Sequence, residues 1–214
     1  MSSSSSSSLP PPTRSKLALK GSCRIVSDFF EYSIHSILYQ RGIYPPEDFR
    51  LVKKYGLNML ISIDEDVKNY IERIMKQLHR WIYSGVISKL VVAISSKELN
   101  EVVERWQFDL EVNQNTGLNE GDDQTTNKSN DQIQKEIQSI IRQITASVTF
   151  LPELEGEHTF NVLVYASPNC TIPSEWGDSD AKELVGGNVE NVKFRSFSTD
   201  NHKVGALVTY KMLD

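Results

Sequence analysis

Two periods of apolar residue divide this chain into elements. Leu17 to Lys20 (LALK) alternates briefly and predicts a short strand. From Ser22 the period lengthens: Val26, Phe29, Phe30, Ser33, Ile37 and Tyr39, with Ile34 and Leu38 beside them, mark one broad face of a helix. RGIYPPEDF ends it, because Gly42 permits a stop and Pro45–Pro46 forbids continuation. FRLVKKYGLNMLIS predicts a small hairpin turning at Tyr55–Gly56. A second helix is expected from Asp64, a good N-cap, with the stripe Val67, Tyr70, Ile71, Ile74, Met75, Leu78, Trp81 and Ile82.

The period then shortens. KLVVAIS (Lys89 to Ser95) is apolar and β-branched. In ERWQFDLEV, Trp106, Phe108, Leu110 and Val112 alternate with Arg105, Gln107, Asp109 and Glu111, which predicts a strand with one face in water. A third helix follows, with Ile133, Ile137, Ile140, Ile141, Ile144 and Val148 inward, and stops before Pro152. TFNVLVYA (Thr159 to Ala166) is apolar on both faces, so a central or covered strand is expected. Residues 167–191 hold Pro168, Pro173, Gly177, Gly186 and Gly187 and few apolar groups. That is long for a structureless connection in a compact domain, and such loops are usually functional or disordered. The chain closes on VKFRSFSTDNHKVGALVTYKML, two short strands around a polar turn. Strands joined irregularly by turns and helices favour an α+β fold, one antiparallel sheet with three helices on one face.

Two stretches have nothing to bury: the Ser and Pro tract 1–16, expected to be a disordered tail, and the polar segment 113–130, expected to be a mobile loop. With 214 residues, a single domain over 17–214 is the simplest division. A net charge of −5 argues against a nucleic-acid footprint, and no apolar run reaches the roughly 18 residues of a membrane span. The opening MSSSSSSSLPPPTRSK lacks the apolar region of a secretory signal, so an intracellular protein is expected. Cys23 and Cys170 fit no metal or redox spacing and are read as free thiols. His35, His79, His158 and His202 are scattered, and His35 and His79 are expected at the surface or rim of helices whose apolar positions are already complete. No nucleophile elbow, Walker loop, zincin or dinucleotide fingerprint occurs, and Glu120, Asp122 and Asp123 lack calcium-loop spacing. The chain is therefore expected to be no enzyme and to need no cofactor or metal.

Several stretches carry a resemblance: GSCRIVSDFFEYSIHSILYQRGIYPPEDF, KKYGLNMLISIDED, KLVVAISSKELNEVVERWQFDLEV, IRQITASVTFLPEL and FRSFSTDNHKVGALVTYK. In this order they resemble the HORMA-domain family over most of residues 20–211, most closely its spindle-assembly-checkpoint members. The resemblance implies a HORMA fold whose C-terminal hairpin is mobile. In an open state the hairpin lies on the edge of Thr159–Ala166. In a closed state it pairs with Trp106–Val112 and displaces the strand at Leu17–Lys20. The freed edge, at Thr159, Phe160, Asn161, Val162, Leu163, Val164 and Tyr165, then accepts an extended closure-motif peptide. Residues 167–214, the connection with Trp176 and the hairpin beyond it, wrap over the peptide as a safety belt. The moving hairpin carries Phe194, Phe197, His202, Val204, Val208 and Tyr210.

The same resemblance implies a dimer face at Arg142, Gln143 and Phe150, used between open and closed copies. It implies a pair between Arg41 and Glu104, in YQRG and VERW. The implied partners are the checkpoint coiled-coil protein mitotic arrest deficient one and the activator of the anaphase-promoting complex, of the cell-division-cycle twenty type. The implied places are the nucleus, kinetochore, nuclear-envelope region and cytoplasm. Capture of the activator would delay anaphase; the alternative role within the family is adaptor subunit of a translesion DNA polymerase. Ser196 and Ser198 lie in the moving hairpin, where a phosphate would oppose burial.

Overall fold

A computed structural model describes residues 14–113 and 128–212, so residues 1–13 of the expected tail and nearly all of the expected mobile loop lie outside the described residues, while residues 14–16, expected to be disordered with the tail, are helical. Helix α1 runs from Arg14 to Gln40. The strand expected at Leu17–Lys20 is instead part of its first turns. No described residue ahead of Gly42 is a proline, and one glycine, Gly21, costs a helix only about 1 kcal/mol relative to alanine. Leu19 packs on the core, so tertiary contact decides what a four-residue alternation left ambiguous. The helix ends at Gly42 (φ +62°), as its sequence required.

Strands β1 (Phe49–Lys54) and β2 (Leu57–Ser62) form the small hairpin, with positive φ at both Tyr55 and Gly56. Helix α2 (Glu65–Tyr83) is capped by the Asp64 carboxylate, which accepts from Val67 N at 2.9 Å. Helix α3 (Asn130–Ala146) is capped by Ser129. Val148, expected to point inward with the α3 stripe, is exposed; α3 stops at Ala146, and the 3₁₀ turn Ser147–Thr149 changes the angular step.

The main sheet joins β3 (Ile87–Ser96), β4 (Glu101–Val112), β5 (His158–Ala166), β6 (Val189–Lys193) and β8 (His202–Lys211) in the order β5-β3-β4-β8-β6, and β7 (Phe197–Ser198) also pairs β8. Every pairing is antiparallel. The helix stripes and one sheet face share a single core, in which Phe29 of α1 meets Phe108 of β4 at 5.7 Å and Phe197 at 4.9 Å.

Two expectations need correction, and one is decided between its alternatives. Of the central or covered reading of β5, the covered one holds: among the described residues β5 is an edge strand, bonded only to β3. Both its faces are apolar because one meets the helices and the other meets the connection that follows it. The second face of β4 is not left to water at Arg105, which is 5% exposed and donates to Gln107 and to the Tyr165 hydroxyl (3.0 Å), with Glu183 at 3.3 Å. His35 is buried, not at the rim: Ser62 N donates to its Nδ1 at 3.2 Å, and burial pushes its pKa down to about 4.

The expected Arg41–Glu104 pair is present and buried. Arg41 Nε lies 3.0 and 2.9 Å from the two Glu104 oxygens, Trp106 Nε1 donates to the same carboxylate at 2.6 Å, and Arg41 also donates to Pro152 O. It ties the end of α1 to β4 and to the segment after α3. Glu104→Gln leaves a guanidinium buried without its counter-charge; a loss of about 3 kcal/mol or more is expected, read from the urea midpoint.

His35 also sets a pH dependence. Its folded pKa is depressed, so its contribution is complete above the unfolded value near 6.5 and is lost as pH falls toward 4. That loss amounts to roughly 3 kcal/mol at about 1.4 per unit. His35→Asn, with an amide oxygen to accept from Ser62 N, is expected to be less acid-sensitive over that window in denaturation at stepped pH.

Candidate functional site

In an antiparallel pair, successive residues turn their backbone groups alternately toward and away from the partner strand. Val162 N donates to the Tyr70 hydroxyl of α2 at 3.3 Å, so at Val162 these groups point off the sheet. Phe160 and Val164, two residues either way, share that orientation. Their side chains face the helices, opposite Ile94, Val92 and Leu90 of β3, and Phe160 sits edge-on between Tyr70 (5.5 Å) and Tyr44 (6.2 Å). Thr159, Asn161, Leu163 and Tyr165 alternate with them onto the other face. This is an exposed strand edge with bonding groups to spare.

A cavity of about 500 Å³ lies along the second half of that edge. Its walls are Val162–Ala166, Trp81 of α2, and Ile172, Trp176 and Asp178–Ala181 of the connection. Trp176 stands edge-on to Trp81, with centroids 4.8 Å apart. Residues 167–188 leave β5 at one edge of the sheet and cross its outer face, where Glu183 meets Arg105. They enter β6 at the opposite edge. Crossing the sheet spans about 20 Å at about 4.8 Å per strand. A chain of that length reaches well over 60 Å when extended, at about 3.3 Å per residue. The connection therefore has slack enough to go around a further strand.

The hairpin occupies the other side of the sheet. β8 pairs with β4 from Glu104↔Tyr210 to Val112↔His202. Phe194, Phe197, His202, Val204, Val208 and Tyr210 are all buried, with Phe194 against Trp106 and Phe197 against Phe29. At the turn, Ser22 Oγ lies 2.5 Å from both His202 Nδ1 and Thr199 Oγ1, and burial pushes the His202 pKa down. Lys128 reaches Glu136 and Ser198 together, and Ser198 N donates to Glu136. The hairpin is thus pinned to α1 and α3 as well as to β4. Ser22 gave no signal in the sequence, being one serine on a helix; its role appears only once the hairpin lies against it.

Of the residues expected on one dimer face, Arg142 is exposed and Phe150 is 41% exposed. Gln143 accepts from Arg195 N at 2.8 Å and so joins α3 to the segment between β6 and β7. Among the described residues no group of three or more His, Cys, Asp or Glu could hold a metal ion, and no helix is long and apolar enough to cross a membrane.

Residues 22–202 match the family model for the HORMA domain. The chain is 51% identical to the mitotic spindle checkpoint component mad2 of Schizosaccharomyces pombe, over 94% of this chain and 97% of that one. It is 45% identical to the mitotic spindle assembly checkpoint protein MAD2A of Homo sapiens, over 92% and 93%. Its structure is similar to a chain in a crystal structure of the mitotic checkpoint complex. That match has TM-score 0.79 and 49% identity, and covers 90% of this chain and 99% of the other.

The packing separates the two groups of residues in their expected effects. Phe197→Ala is expected to cost about 3–5 kcal/mol in urea denaturation, because it empties the contact with Phe29. Arg142→Ala, on the exposed face, is expected to stay within about 0.5 kcal/mol.

Proposed function

The chain belongs to the HORMA-domain family, among its mitotic spindle checkpoint proteins, and from that footing we propose that it works by trapping an extended peptide on the outer edge of β5 beneath the 167–188 connection. One observation carries this reading: β8 is paired to β4, so among the described residues the outer edge of β5 carries no further strand, while the connection already spans from that edge to the far one. A peptide strand added there gains main-chain hydrogen bonds from Phe160, Val162 and Val164, and alternate side chains meet Trp81 and Trp176. The closed packing is one of two; in the other the hairpin itself covers β5, and the two must lie within a few kcal/mol for the protein to switch.

The ligands we assign are the closure motifs of the coiled-coil checkpoint protein mitotic arrest deficient one and of the activator of the anaphase-promoting complex. Holding the activator delays anaphase. With these ligands the protein would act at kinetochores, in the nucleus and near its envelope, with a cytoplasmic pool. Arg142, Gln143 and Phe150 form the face through which open and closed copies meet. The checkpoint relatives favour this role over that of a polymerase adaptor. The work is binding and conversion rather than chemistry.

The test is a labelled peptide carrying a basic residue, alternating aliphatics and a proline, followed over hours by anisotropy with Arg142→Ala in parallel to keep the protein monomeric. Slow association into a complex that barely dissociates is expected. A folded protein that takes up no peptide in a day would overturn the reading.

A further inference from the structure

We propose that Tyr70 guards the β5 edge: its hydroxyl stands where a ligand carbonyl must go, and an incoming strand has to displace it. This rests on the strand-addition reading above and specifies how that site is entered. The observation is the bond from Val162 N to the Tyr70 hydroxyl at 3.3 Å, at the centre of the outward-facing set Phe160, Val162 and Val164. Tyr70 comes from α2, not from the connection, and its position beside the edge does not depend on where the connection lies. Its ring packs edge-on against Phe160 at 5.5 Å and an interplanar angle of 79°, which holds the side chain beside the strand.

The geometry divides the edge in two. From Val162 to Ala166 it borders the cavity between Trp81 and Trp176, and Tyr70 is not among the residues lining that cavity. From Phe160 to Val162 it is walled by Tyr44 and Tyr70. A segment that pairs along the whole strand must pass the boundary at Val162, and there its own carbonyl replaces the tyrosine hydroxyl. The bond exchanged is one hydrogen bond for another, so the guard is weak and reversible. It still has two effects. An unpaired N–H in an exposed edge invites pairing with any passing strand, and the hydroxyl satisfies it in the empty protein. Once displaced, the ring remains beside Phe160 and Tyr44 as an apolar wall. The ligand class it suits is an extended segment with an aliphatic or aromatic side chain at the register position next to Val162.

The experiment compares wild type with Tyr70→Phe, and with Tyr83→Phe, an exposed tyrosine on the same helix, as control. Hydrogen exchange at the Val162 amide is measured in the free proteins, and association of the labelled aliphatic peptide is followed with each. Tyr70→Phe is expected to speed exchange at Val162 and to raise the association rate about three- to tenfold, the scale of one net hydrogen bond, with the control unchanged. Unchanged exchange at Val162, or association that is unchanged or slower in Tyr70→Phe while wild type binds, overturns the guard and leaves strand addition standing. Failure of wild type itself to bind overturns strand addition, and the guard with it.

Discussion

The ladder between β4 and β8 is the pairing on which the rest of this structure depends. It places Val204, Ala206 and Val208 opposite Leu110, Phe108 and Trp106, and so brings the C-terminal hairpin into the core that α1 organises. Because β8 sits there, β6 follows it to the far edge, and the connection from β5 has to cross the whole sheet. Because β8 is not on β5, the backbone groups of Phe160, Val162 and Val164 face outward. The placing of one strand thus leaves the outer edge of β5 open and draws the strap across the sheet together.

Much of this architecture is written in the sequence. The stripes of α2 and α3, the Asp64 cap, the Tyr55–Gly56 turn and the terminal hairpin follow from period and turn chemistry alone. What escaped were positions set by tertiary neighbours. LALK alternates as a strand would, yet Leu19 packs on the core as part of α1. His35 gains a backbone donor from β2 that no local pattern announces. Arg105 looks like a solvent residue until Glu183, far along the chain, comes to lie against it. β5 read as central or covered because both faces are apolar, and pattern alone could not choose between a strand on either side and a crossing loop over one face.

The candidate site was legible only through resemblance. Trp176 and the Thr159–Tyr165 strand carry no chemistry that composition or spacing would single out, since strand addition uses backbone groups that every residue has. Tyr70 and Trp81 were visible as members of a helix stripe, and their second roles depend on which end of α2 meets the edge. Arg142 and Gln143 read as a solvated face, and Arg142 is indeed exposed.

The crossing connection has a kinetic consequence. A strand held beneath a chain anchored at both sheet edges leaves only when one anchor lets go, and the anchors are parts of the protein's own fold. Residence time is then a property of the host. Guests that differ in their side chains would differ in how fast they are captured, while their departures would share one clock, wound by the stability of the hairpin on β4.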